Sequence, residues 1–159
     1  MQTLPDNILR FIKANHVLSV ATWDGKNAQS LWAASCFYAF DDAQNRLLIL
    51  SASSTQHGTN MRQNPSVTGT ISGQPVQWQD ICGLQFSATA RWLENVPEQT
   101  LARAIYNQRH PLARLKPSEI WQLQLSRLKF TDNRFSFGQK TELVLAESPG
   151  NPMPTSAPA

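Results

Sequence analysis

Between Leu84 and Trp92 the chain alternates strictly. Leu84, Phe86, Ala88, Ala90 and Trp92 fall on one side; Gln85, Ser87, Thr89 and Arg91 fall on the other. Strand side chains point to opposite faces in turn, so this stretch predicts a half-buried strand. Leu4, Ile8, Phe11 and Ile12 instead recur at helical spacing and predict a helix over residues 5–14, with Thr3 as its cap and Pro5 in its first turn. A strand over 16–23 follows, then the hairpin signal Asp24-Gly25 and a second strand over 30–40. Residues 46–51 are almost uninterruptedly apolar, which predicts a strand buried on both faces. A short helix over 55–63, a strand over 66–71 and a turn at Gly73-Gln74-Pro75 come next. Asn95 and Glu98 have the spacing of a capping box for a helix carrying Leu101, Ile105 and Tyr106.

The last strand starts with Trp121, Leu123 and Leu125 on one face, after which the apolar phase slips to Leu128 and Phe130. A slip of one residue in a period of two predicts a bulge near Ser126-Arg127, most simply a device for closing a barrel. Tight turns join most strands and crossover helices are few. The chain therefore reads as mostly β: an antiparallel barrel-like sheet with a few short helices at its ends.

Composition sharpens this picture. The chain has 159 residues, 41% hydrophobic and 16% charged, which suits one globular domain over residues 1–147. Residues 148–159 hold four prolines and no aromatic and read as a disordered tail. No apolar run is long enough to span a membrane, and no basic start precedes an apolar stretch. Cys36 and Cys82 make no disulfide framework; they read as two reduced, buried thiols of a cytoplasmic protein. His16, His57 and His110 are far apart in sequence, and no metal-binding spacing appears.

The net charge of +3 is uneven: residues 103–140 hold eight basic against two acidic residues, a local excess of +6. Such a region attracts phosphorylated ligands or nucleic acid. Nucleic-acid binding would need aromatic faces beside the cations, and Trp121 and Phe130 read as core instead.

The candidate chemistry lies at Ser51-Ala52-Ser53-Ser54-Thr55-Gln56-His57, where an apolar strand ends in hydroxyls at a helix start. Helix N-termini have free N–H groups and favour anions, a phosphate above all. No Gly-x-Ser-x-Gly elbow or paired-carboxylate motif is present, so no catalytic residue is assigned.

Several longer stretches carry a resemblance. They are residues 33–41 (AASCFYAFD), 69–75 (GTISGQP), 83–86 (GLQF), 102–107 (ARAIYN), 111–114 (PLAR) and 129–133 (KFTDN), with Phe137-Gly138. Together they resemble the YhbP-like branch of the FMN-binding split-barrel superfamily, typified by pyridoxamine 5'-phosphate oxidase, from the first helix to about Leu145. The resemblance implies a six-stranded antiparallel split β-barrel, a homodimer with ligand sites between its subunits, FMN as cofactor and a small-molecule substrate. It implies that the backbone of Trp32, Ala33, Ala34 and Ser35 lies along the flavin ring, and that Ser51, Ser53, Ser54, Thr55 and His57 hold the phosphate. Relatives of this kind carry Arg-Lys where this chain has Gln56-His57, so Arg62 and Lys129 become candidates for the missing charge.

Flavin-dependent oxidoreduction is the leading expectation. Pyridoxamine phosphate oxidation itself is not expected, because its C-terminal arginine pattern is missing. The alternative is a split barrel that has lost FMN and binds haem, with His57 or His110 as ligand, or a phosphorylated metabolite.

Overall fold

The computed structural model describes residues 2–134 and 140–145. The expected tail and Phe137-Gly138 lie outside the described residues. The elements are α1 (Asp6–Ala14), β1 (Val17–Thr22), β2 (Trp32–Asp41), β3 (Arg46–Leu50), α2 (Gln56–Gln63), β4 (Ser66–Ser72), β5 (Cys82–Trp92), α3 (Val96–Arg109), β6 (Ile120–Asp132) and β7 (Lys140–Val144). The strand order is β3-β2-β1-β4-β5-β6-β7, and β3 also pairs with β6. That last pairing closes a six-stranded antiparallel barrel, to which β7 adds an outer strand absent from the sequence reading.

The β3 strand is buried on both faces for a visible reason. Leu47 and Ile49 point into the barrel core with Trp121, Leu18 and Ile71, while Leu48 packs outward against Ala102, Tyr106 and Leu93. On β5, Leu84, Phe86, Ala88 and Ala90 are buried as the alternation requires. The bulge falls where the phase slips: Ser87 faces Arg127 and Ala88 faces Leu125, leaving Ser126 as the extra residue. Beyond it Leu128 and Phe130 turn inward and Arg127 and Lys129 turn outward. Lys129 is thus kept on the outside of the barrel.

Four local expectations need correction. The N-cap of α1 is Pro5, with no side-chain hydrogen bond, rather than Thr3. The β1–β2 connection is longer than a two-residue turn, because residues 28–30 wind into a 3-10 turn and β2 starts at Trp32. In α3, Asn95 accepts the Glu98 N–H at 3.3 Å as a cap should. The Glu98 carboxylate, however, does not reach back to Asn95; it pairs with Arg91 and Arg46. Finally, Cys36 is buried but Cys82 is only half-buried; both are free thiols.

Candidate functional site

Among the described residues, one strand of the barrel is left half unpaired. β2 pairs with β1 from Trp32 to Phe37, but with β3 only from Tyr38 to Asp41. The Tyr38 N–H donates to the His16 carbonyl on the β1 side at 3.0 Å. Backbone groups alternate sides along an antiparallel strand, so Ala33, Ser35 and Phe37 turn theirs to the open side. The Phe37 carbonyl there accepts the Tyr106 hydroxyl at 3.3 Å. Ala33 and Ser35 therefore present backbone donors and acceptors beside small side chains. Trp32 and Phe37 flank this edge and remain 54% and 58% exposed.

The chain that leaves β3 turns beside that edge and becomes the Ser51–His57 stretch. Its position is fixed by β6: the Ser51 N–H donates to the Glu119 carbonyl at 3.0 Å, and the Trp121 indole N–H donates to the Ser51 carbonyl at 3.0 Å. α2 then packs against β1, β2 and β5. Its buried Asn60 amide donates to the Thr22 hydroxyl at 3.1 Å and to the Ser30 carbonyl at 2.7 Å. Gly58 is required for this approach. A Cβ there would stand 2.5 Å from the Ala52 carbonyl oxygen and 2.9 Å from the Ser53 Cα.

Within the loop the polar groups are bonded to one another. Ser51 Oγ lies 2.6 Å from His57 Nε2 and 3.3 Å from Thr55 Oγ1. Thr55 Oγ1 donates to the Ala52 carbonyl at 2.8 Å and accepts the Gly58 N–H at 3.1 Å, which makes Thr55 the helix cap. The Ser53 hydroxyl donates to a Glu119 carboxylate oxygen at 3.1 Å. Ser54 is exposed. Burial pushes the His57 imidazole below its ordinary value, so it is neutral at neutral pH. Its own backbone N–H holds the Glu119 carboxyl below the usual range, so it is charged there.

The two candidate cations lie elsewhere. Arg62 sits in the last turn of α2 with its guanidinium 5.9 Å from the Trp92 ring centre. Lys129 pairs with Glu142 on β7 at 3.9 Å, and Arg127 reaches the same carboxylate at 2.9 Å. Register carries one outer row of residues from Ser35 through Ser19, Thr70 and Gln85 to Lys129. At about 4.8 Å per strand, Lys129 lies roughly 19 Å along the sheet from Ser35. Within one chain it does not reach the loop.

Between these ends the outer face is an open trough of about 460 Å³, lined by Ser19, Ala21, Ala33, Thr68 and Thr70 and, at its far end from the loop, by Arg127 and Lys129. The volume is in the usual range of small-molecule sites. The site thus fits the two halves of FMN unequally. A flat ring whose rim alternates donors and acceptors suits the open backbone of Ala33 and Ser35. The phosphate end does not suit a dianion as arranged. The Ser51, Ser53 and Thr55 hydroxyls are engaged, Ser54 is exposed outside these bonds, and the imidazole is neutral. A carboxylate touches Ser53, and among the described residues no Lys or Arg bonds to the loop.

Glu119 and Asn60 were missed by sequence reasoning. Glu119 lies far from Ser51 in the chain, and only the β3–β6 pairing brings the two together. That pairing was the one available signal, since closing a barrel joins its first free strand to its last.

No protein-family model matches the chain. Among solved structures, a haem-binding protein from Mycobacterium smegmatis aligns at TM-score 0.69 and 16% identity, over 84% of this chain and 55% of its own, so this chain spans about half that protein. An FAD-binding protein from Mesorhizobium loti aligns at TM-score 0.63 and 18% identity, over 80% of this chain and 92% of its own. At such identities these structures share the fold, a split β-barrel. Sequence relatives are much nearer. A UPF0306 protein of Haemophilus ducreyi is 43% identical over 142 residues, covering 89% of this chain and 95% of its own. The UPF0306 protein YhbP of Escherichia coli is 38% identical over 140 residues, covering 88% and 92%. Matched over nearly nine-tenths of its length at these identities, the chain belongs to the UPF0306 family.

Proposed function

We propose that this protein binds a flavin-type cofactor in a cleft completed by a second copy, and acts as a flavin-dependent oxidoreductase on a small molecule. The observation that carries the reading is the half-open β2 strand, where Ala33 and Ser35 offer backbone groups and little side-chain bulk. FMN is the cofactor that the family resemblance implies, and a solved split barrel of the same fold is described as FAD-binding. A flavin ring brings its own redox chemistry; the protein holds and orients it. The backbone of Trp32 to Ser35 would meet the ring edge, and Ser51, Ser53, Ser54, Thr55 and His57 would surround the tail. The exposed Trp32, Phe37 and Val17 beside this edge support a homodimer, since a partner would cover them.

Riboflavin and FMN titrated into the protein provide the test. Bound flavin at a hundredfold excess over Kd adds about 2.7 kcal/mol of stability, or roughly 5–10 °C in Tm. Saturable fluorescence quenching with such a rise is expected. An unchanged flavin spectrum and an unchanged Tm with both compounds would contradict the reading.

Haem is the second reading, and one observation favours it. His110 Nε2 lies 2.8 Å from the Tyr38 carbonyl, which only accepts, so Nε2 donates and Nδ1 is the ring nitrogen that would ligate a haem iron. The ring is half-buried against Phe37 and Tyr106, on the His16 side of β2. A Soret band on adding haem, lost in His110→Ala, would identify this alternative.

A further inference from the structure

We infer that Glu119 determines the charge of the ligand tail this pocket accepts, excluding a phosphate dianion in favour of a neutral hydroxylated chain. The inference rests on reading the Ser51–His57 loop as the tail end of the proposed site. It departs from the phosphate-binding role that the loop's hydroxyls suggested.

Geometry carries it. The Glu119 carboxylate is hydrogen-bonded to Ser53 Oγ at 3.1 Å, so it stands against one of the hydroxyls meant to receive the phosphate. Its backbone is tied to the same loop through the Ser51 N–H, so the carboxylate stays with the loop if the loop shifts. Like charges a few ångströms apart repel even in partly hydrated surroundings. Among the described residues no cation at the loop offsets this, and the α2 N-terminus supplies only a partial positive charge. Ser51 Oγ and Thr55 Oγ1 are bonded to His57 Nε2 and to backbone, and Arg62 lies over Trp92 at the far end of α2.

A polyol tail reverses the balance. Its hydroxyls donate to the Glu119 oxygens and accept from the first N–H groups of α2, so the residues that repel a phosphate satisfy a sugar chain. A ligand with the flavin ring and no phosphate therefore suits both the open β2 edge and the Ser51–His57 loop. Glu119 here selects among ligands and takes no part in chemistry.

The test compares riboflavin and FMN binding by fluorescence quenching at a pH near 8, where a phosphate monoester is a dianion (second pKa about 6). Wild type is expected to bind riboflavin at least as tightly as FMN. In Glu119→Gln the ratio of the two affinities should move about tenfold toward FMN, the effect of one exposed like-charge contact. A ratio within about twofold of wild type would overturn the inference. If neither flavin binds to either protein, the flavin reading fails and the charge reading is still decided by inorganic phosphate. Phosphate should raise the Tm of Glu119→Gln, and not of wild type, above a chloride control of equal ionic strength. An equal response of the two proteins would overturn it.

Discussion

Asn60 shows how much of the site depends on single side chains. It is 1% exposed, and its amide joins α2 to both ends of the β1–β2 connection. Asn60→Ala leaves the Thr22 hydroxyl and the Ser30 carbonyl without that donor, at a cost of about 1–3 kcal/mol in urea unfolding. Gly58→Ala pushes a methyl group into the Ala52 carbonyl, so it should destabilise by a similar 1–3 kcal/mol and weaken flavin binding at the same time. His57 gives a pH signature. Burial lowers its pKa below 6.5, so the fold favours the neutral ring; its stabilising share is whole above that value and is lost as pH falls below it. The urea midpoint of wild type should therefore drop between about pH 7 and pH 5, and drop less in His57→Gln. At this scale the sequence was a fair guide to which residues converge and a poor guide to what they do. Ser51, Thr55 and His57 do meet, but they meet to bond each other. No residue pattern shows whether a hydroxyl is already taken.

Elements were legible wherever one periodicity ruled. The alternation of β5, the two-sided burial of β3 and the bulge in β6 all follow from apolar phase alone. Errors came where side chains were drawn to distant partners. Glu98 abandons the capping box because Arg46, 1% exposed on β3, needs acceptors once it is out of water. Arg46 Nε donates to Asp41 at 2.9 Å and Nη1 donates to Gln122 at 2.7 Å, while Arg91 holds the other side of Glu98. This network ties α3 to β2, β3 and β6. Arg46→Ala leaves Asp41 buried without its cation and should cost about 3–5 kcal/mol, read as a lower urea midpoint. Arg91 keeps the Glu98 carboxyl below 4.5. That share of stability is therefore present at neutral pH and lost as pH falls below 4.5, and Glu98→Gln should flatten the acid limb of the stability curve.

At the scale of the whole molecule, closure decides what the sequence could not. Pairing β3 with β6 makes the barrel, and the same pairing delivers Glu119 to the Ser51 loop. Among the described residues it also leaves the first half of β2 without a paired strand on one side, and this is the origin of the candidate site. Barrel type and element order were readable; the place where the barrel stays split was known only through resemblance, because strand neighbours are a long-range property. The proposed dimer would bury the same open face. Light scattering should give twice the chain mass of 17.8 kDa, and Phe37→Glu should shift the mass toward the monomer.

The central claim is that the open edge of β2 receives a flavin ring, and backbone amide NMR addresses it most directly. On titration with riboflavin, the amides of Ala33 and Ser35 should shift first and furthest, followed by those of Ser51 to His57, while amides on the closed β5–β6 pairing stay in place. Shifts confined to other surfaces, or unmoved Ala33 and Ser35 amides at saturating riboflavin, would contradict the account.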